Sequence, residues 1–100
     1  MRPPPGEPTD PSEPAATTVT LVTRVDCSLC ERARAVLARV AADHPLVVEE
    51  LDLASREGGA VARRAGMLFP PGVLLDGEPF GYGRLSERKL RRELARRAAR

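Results

Sequence analysis

The sequence predicts an α/β domain of order β-α-β-α-β-β-α, a four-stranded mixed sheet with three helices, and three observations carry the prediction. A β-branched run, TTVTLVT, passes directly into a stretch whose apolar residues recur at helical spacing. A second strand-like run follows that helix, and a helix between two strands allows a parallel pair with a right-handed crossover. Near the end, two short strand-like runs flank Asp76-Gly77, the dipeptide that favours a type I′ hairpin.

The first strand covers residues 17–23, with Val19 and Leu21 alternating on one face. Leu29, Ala33, Val36, Leu37, Val40 and Ala41 then mark one face of a helix, with Glu31, Arg32, Arg34 and Arg39 mostly opposite. His44, between Asp43 and Pro45, lies where this helix stops and reads as an exposed helix-end histidine. Residues 46–53 (LVVEELDL) form the second strand, with imperfect alternation. Ser55 caps a short second helix to about residue 65; Gly58 and Gly59 weaken its start and Gly66 stops it. Residues 73–75 and 78–82 are the hairpin strands, and Ser86 opens a last helix whose Leu90 and Leu94 share a face.

The first sixteen residues stand apart. Six of the ten prolines fall there, beside Gly6, Glu7, Asp10 and Glu13, so residues 1–16 read as a disordered tail and 17–100 as one domain. That tail lacks the apolar central segment of a secretory signal, and no stretch of the sequence approaches the apolar length of a membrane span; a soluble, cytoplasmic protein without a membrane partner is expected. The net charge is a mild +2. Between residues 84 and 100, however, eight basic residues meet only Glu87 and Glu93. That stretch reads as a solvated helix face in an arginine-rich chain. Nucleic acid is not the expected partner, because the helix carries no stacking aromatics.

The only two cysteines form the motif Cys27-Ser28-Leu29-Cys30 at the first strand-to-helix turn. Residues three apart on a first helical turn lie close enough to form a disulfide. Cys27 falls at the helix N-terminus, where unpaired N–H groups and the positive end of the helix dipole stabilise a thiolate. Cys27 is therefore the expected nucleophile, and Cys30, deeper in the helix, the resolving thiol. Asp26 opposes the thiolate and Arg24 favours it. A closed zinc site needs four ligands, and the chain offers one CxxC and one histidine. No metal and no organic cofactor is expected for exchange chemistry. Two other readings stay open: a non-catalytic binding module using the basic C-terminal helix, or a metal or iron-sulfur site shared between chains through the CxxC.

With this element order and the CxxC at its first turn, the chain resembles the thioredoxin superfamily, in details its glutaredoxin branch, over residues 19–94. The run Pro71-Gly72-Val73-Leu74-Leu75-Asp76-Gly77-Glu78 is similar to the branch's P-x-V-F-I-D-G-K/E segment, and Gly81-Tyr82-Gly83 stands where the family has a Gly-Gly pair. The resemblance implies a thioredoxin-like fold and a dithiol oxidoreductase in cell redox homeostasis. Its partners would be protein or low-molecular-weight disulfides, with a thiol or reductase as electron donor. It also implies a cis peptide before Pro71 and a substrate groove drawing on Arg24, Pro71, Gly81 and Tyr82, Arg24 matching a lysine that contacts the glycine carboxylate of glutathione. Three departures point away from ordinary glutathione. Pro70 has no backbone N–H, Tyr82 replaces a glycine, and Arg84 falls where an aspartate would hold the ammonium group.

Overall fold

β1 (Thr17–Thr23) lies at the centre of the sheet rather than at an edge, and this decides where everything else sits. The computed structural model describes residues 15–99; most of the expected tail, residues 1–14, lies outside the described residues. After β1 come α1 (Ser28–Ala41), β2 (Leu46–Asp52), α2 (Arg56–Ala65), β3 (Gly72–Leu75), β4 (Glu78–Tyr82) and α3 (Glu87–Ala98). The strand order is β2-β1-β3-β4. β1 and β2 run parallel, while β1–β3 and β3–β4 are antiparallel, so the sheet is mixed as the sequence predicts.

Because β1 and β3 are interior, helices cover both of their faces. Val19 and Leu21 of β1 join Val73 and Leu75 of β3 against Leu37 of α1 and Leu90 of α3. Val22 and Leu74 point the other way and pack with Val61 of α2. The expected alternation in β1 is thus only half of its burial, since Thr20 and Thr23 are buried too. Their hydroxyls donate to Glu49 (3.0 Å) and Glu50 (3.1 Å) of the neighbouring strand, which satisfies them.

Local signals end the elements where expected, with small shifts. β2 stops at Asp52, one residue early, because the Asp52 carboxylate accepts the Ala54 N–H at 2.8 Å and turns the chain. Ser55 caps α2 by accepting from the Gly58 N–H, and Gly66 closes it with φ +68°. Asp76 and Gly77 both have positive φ, +50° and +83°, as a type I′ turn requires. The Asp76 carboxylate accepts the Thr18 N–H at 2.9 Å, pinning the hairpin to β1.

Ion pairs tie α3 down. Glu87 accepts from Arg39 of α1 and from Arg91, which also reaches Asp43; Glu93 pairs with Arg96 and Arg97, and Arg97 extends to Asp76 and Glu78. Much of the basic charge of this helix is therefore balanced within the domain. Hydrogen bonds from Arg34, Arg39 and Arg96, in that order, hold the carboxyls of Glu50, Glu87 and Glu93 below the ordinary glutamate value of 4.5. A lowered folded-state pKa means that the unfolded chain binds more protons in acid. The contribution is therefore complete above pH 4.5 and is lost as pH falls through the folded values. The urea midpoint should fall between pH 5 and pH 3, and by less at high salt, about 1 M. A midpoint that holds or rises over that interval would show that these pairs contribute nothing.

Candidate functional site

The chain leaves the centre of the sheet through Arg24, Val25 and Asp26, all exposed. Asp26 has φ +52°, a left-handed conformation that aspartate tolerates better than most residues, and it lets the strand turn into α1 within three residues. Cys27 follows in extended conformation as the N-cap of α1. Its Sγ takes the place of the usual serine or aspartate oxygen and accepts the Cys30 N–H at 3.2 Å. Its carbonyl accepts the Glu31 N–H.

Cys27 and Cys30 are joined in a disulfide with their Cα atoms 5.2 Å apart, inside the usual span of about 4.4–6.8 Å. The two residues are not equivalent. Cys27 keeps 9% of its surface exposed and Cys30 none. Among the described residues no group of three or more His, Cys, Asp or Glu side chains could hold a metal ion, and no helix is long and apolar enough to cross a membrane.

Strand register brings the other predicted residues to the same end of the sheet. Val22, near the exit of β1, pairs with Gly72 at the start of β3, and Gly72 pairs in turn with Tyr82 at the end of β4. Pro71 therefore precedes β3 beside the turn that carries Cys27. The Pro70–Pro71 peptide is cis, Pro71 is fully buried, and its carbonyl accepts the Gly83 N–H at 2.8 Å. Gly81 and Tyr82 are exposed on β4. Arg24 lies on the opposite flank, lining a shallow depression with Arg34, Glu50 and Asp52. The structure thus gathers the CxxC turn, Pro71 and Tyr82 at one sheet end and sets Arg24 towards β2, among carboxylates.

Two features of this end escape the pattern of the sequence. Leu68 and Phe69 stand 77% and 51% exposed just before the proline pair, and the Phe69 ring meets Tyr82 edge-on at 5.2 Å. A side chain at Gly83 would strike that ring at 2.7 Å, and its φ of +79° independently favours glycine. Two large apolar residues directly before Pro-Pro are the signal that could have disclosed this exposed apolar edge, since a chain entering a turn there has little to bury them against. The second feature is a depression between α1 and the β4–α3 turn, bounded by Leu29 and Arg32 on one side and Arg84 and Leu85 on the other.

A family model described as a glutaredoxin-like domain matches residues 18–95. Among solved structures, the chain is similar to a mutant thioredoxin from Halobacterium salinarum NRC-1 at 20% identity, covering 80% of this chain and 73% of that one, with a TM-score of 0.62. It is also similar to an uncharacterized thioredoxin-like protein from Clostridium perfringens at 14% identity, covering 85% and 73%, TM-score 0.65. A protein of unknown function from Staphylococcus aureus matches at 14% identity over 84% and 93%, TM-score 0.58. At these identities the likeness is one of fold. No curated protein matches the chain.

Proposed function

The chain belongs to the glutaredoxin-like domain family, and from that premise we propose that it is a dithiol thiol-disulfide oxidoreductase acting through Cys27 and Cys30. One observation carries the reading: the two cysteines are joined in a disulfide at the N-terminus of α1, where Cys27 is the N-cap with 9% of its surface exposed and Cys30, one helical turn on, has none. A thioredoxin-like fold with a CxxC pair in disulfide form fits a redox role with thiol or disulfide partners.

In the reduced protein, Cys27 attacks one sulfur of a partner disulfide. One S–S bond forms, the partner's breaks, and one partner thiolate leaves to take a proton from water. Cys30 then loses its proton and attacks Cys27, releasing the second partner thiolate. Two electrons have passed from the dithiol to the partner, and the Cys27–Cys30 disulfide remains. A cellular thiol or dithiol reductase restores it, consistent with a reducing compartment such as the cytoplasm. Around this pair, Pro71, Gly81 and Tyr82 would shape the partner's groove, with Arg24 at its β2 side.

The amide that reaches the Cys27 sulfur would stabilise a thiolate more than a thiol, and the dipole of α1 acts in the same direction. Exposed Asp26 acts against both, but solvent screens it. The Cys27 thiol should therefore titrate below the free-cysteine value of about 8.5. Iodoacetamide alkylation of the reduced protein, followed against pH by mass spectrometry, checks this, and a midpoint at or above that value would be the opposing result. The overall reading is tested by mixing reduced protein with a small disulfide. Two thiols should be released per chain and none from Cys27→Ser. Failure to reduce either small or protein disulfides would overturn it.

A further inference from the structure

We propose that β2 is a self-recognition edge, through which two copies of the chain pair antiparallel about a two-fold axis at Val47 and join their sheets into one.

β2 is an outer strand of the sheet, and among the described residues β1 is its only strand neighbour. The bonds at its two ends fix which backbone groups face outward. The Thr17 N–H donates to the Pro45 carbonyl and the Leu53 N–H to the Thr23 carbonyl, so the odd-numbered residues turn their backbone towards β1. The register between them is unbroken, and Leu46, Val48 and Glu50 therefore turn theirs to solvent. The other outer strand is protected. β4 contains Pro79, which has no N–H, and its register against β3 shifts between Val73 and Leu74. β2 has seven residues and no proline, which makes it a template for a further strand.

The side chains select that strand. Val47 and Val48 are 39% and 45% exposed, on opposite faces of the sheet. The carboxylates that follow are already engaged: Glu49 accepts from the Thr20 hydroxyl, and Glu50 from the Thr23 hydroxyl and Arg34. The free half of the strand is thus the apolar half. With the axis at Val47, Val47 meets the partner's Val47, and Leu46 meets the partner's Val48, with which it can exchange both backbone bonds. Glu49 and Glu50 fall opposite the partner's Pro45 and the partner's His44. An axis at Val48 would set Val47 against a glutamate, and one at Glu49 would set like charges face to face. Residues 1–14 are a poorer occupant, since their prolines at 3, 5 and 11 and at 4, 8 and 14 remove donors from both sides of any ladder. The pairing also closes on itself. The joined sheet ends in two β4 strands, each carrying Pro79. Thr23, which leads into the cysteine turn, is level with Asp52, about 17 Å along the strand from Val47. Both cysteine turns therefore stay open, at opposite ends of the dimer.

Sedimentation equilibrium of the full chain tests this. A contact of this size should be weak, with the mass rising from monomer towards dimer between about 10 μM and about 1 mM. Val47→Lys should weaken association by at least about tenfold, and its urea midpoint at low concentration reports whether the fold is kept. A second measurement reads the register without relying on that variant. In a Cys27→Ser/Cys30→Ser background, Val47→Cys should form a covalent dimer on mild oxidation, because residues opposite each other in a non-hydrogen-bonded pair lie within disulfide reach. Val48→Cys, which faces Leu46, should crosslink at least about tenfold more slowly. A monomer mass throughout the range, or association that Val47→Lys leaves unchanged, overturns the inference. Crosslinking at Val48→Cys as fast as at Val47→Cys overturns the register. Backbone and apolar pairing should hold or strengthen at about 1 M salt. Association that salt abolishes would instead place the basic α3 of one copy on the acidic end of β2 in another, and would also overturn the inference.

Discussion

Cys30→Ser should turn the protein into a trap that holds half of its substrate covalently. With Cys27 intact the first exchange proceeds, but the thiol that would displace the product is gone, and only an external thiol can finish the reaction. An intramolecular thiol one helical turn away acts at an effective concentration far above that of millimolar thiols in solution. Release should therefore slow by at least about a hundredfold. Non-reducing mass spectrometry of the variant after exposure to a disulfide should find one adduct per chain, on Cys27, removed by dithiothreitol. Cys27→Ser should give no adduct, since the remaining sulfur has no exposed surface. An unmodified Cys30→Ser protein that still turns over disulfides at the parental rate would show that the roles of the two cysteines are wrongly assigned.

The second large effect is on stability and falls on two adjacent glycines that behave oppositely. Gly58 lies in the first turn of α2 against the Asp52 carbonyl, and a Cβ there would collide with that backbone oxygen. The same oxygen accepts from the Ser55 N–H (2.9 Å) and hydroxyl (2.6 Å), while Ser55 Oγ accepts the Gly58 N–H (2.9 Å). Neither partner can withdraw without undoing the cap. Gly58→Ala should therefore destabilise by about 1–3 kcal/mol, as overpacking does, despite the better helix propensity of alanine. At Gly59 the nearest atoms to a Cβ are 3.5 Å away, an ordinary contact. Gly59→Ala should stabilise by about 0.5–1 kcal/mol. Urea unfolding of the two variants checks both signs. A stabilising Gly58→Ala would mean that the β2–α2 turn relaxes without cost.

This pair marks the limit of what the sequence discloses. Caps, stops and the type I′ hairpin were legible because each is a local contract between a few neighbouring residues: Ser55 with Gly58, Ser86 with Lys89, Asp76 with Gly77. The CxxC and its position on the turn were legible for the same reason. What needed the fold was everything decided across the chain. Gly58 reads locally as a weak helix former, and only the shape of the β2–α2 turn, which sets the Asp52 carbonyl against it, makes glycine necessary. β1 reads as one-sided because its sequence does not say that α2 will cover its second face. Arg32 reads as one more solvated arginine of α1 until the β4–α3 turn sets Arg84 across from it. Arg24 was placed by its distance along the chain from Cys27, and its neighbours Glu50 and Asp52 come from a different strand.

The central position of β1 has one more consequence. A strand bonded to neighbours on both sides and covered on both faces cannot fray, so its amides open only when the domain as a whole unfolds. The cysteine turn hangs from the end of that strand, while the exposed Leu68–Phe69 segment across from it is not part of any strand or helix. The cysteine turn is thus anchored to the slowest-opening part of the molecule, whereas the Leu68–Phe69 segment has no strand or helix of its own to hold it.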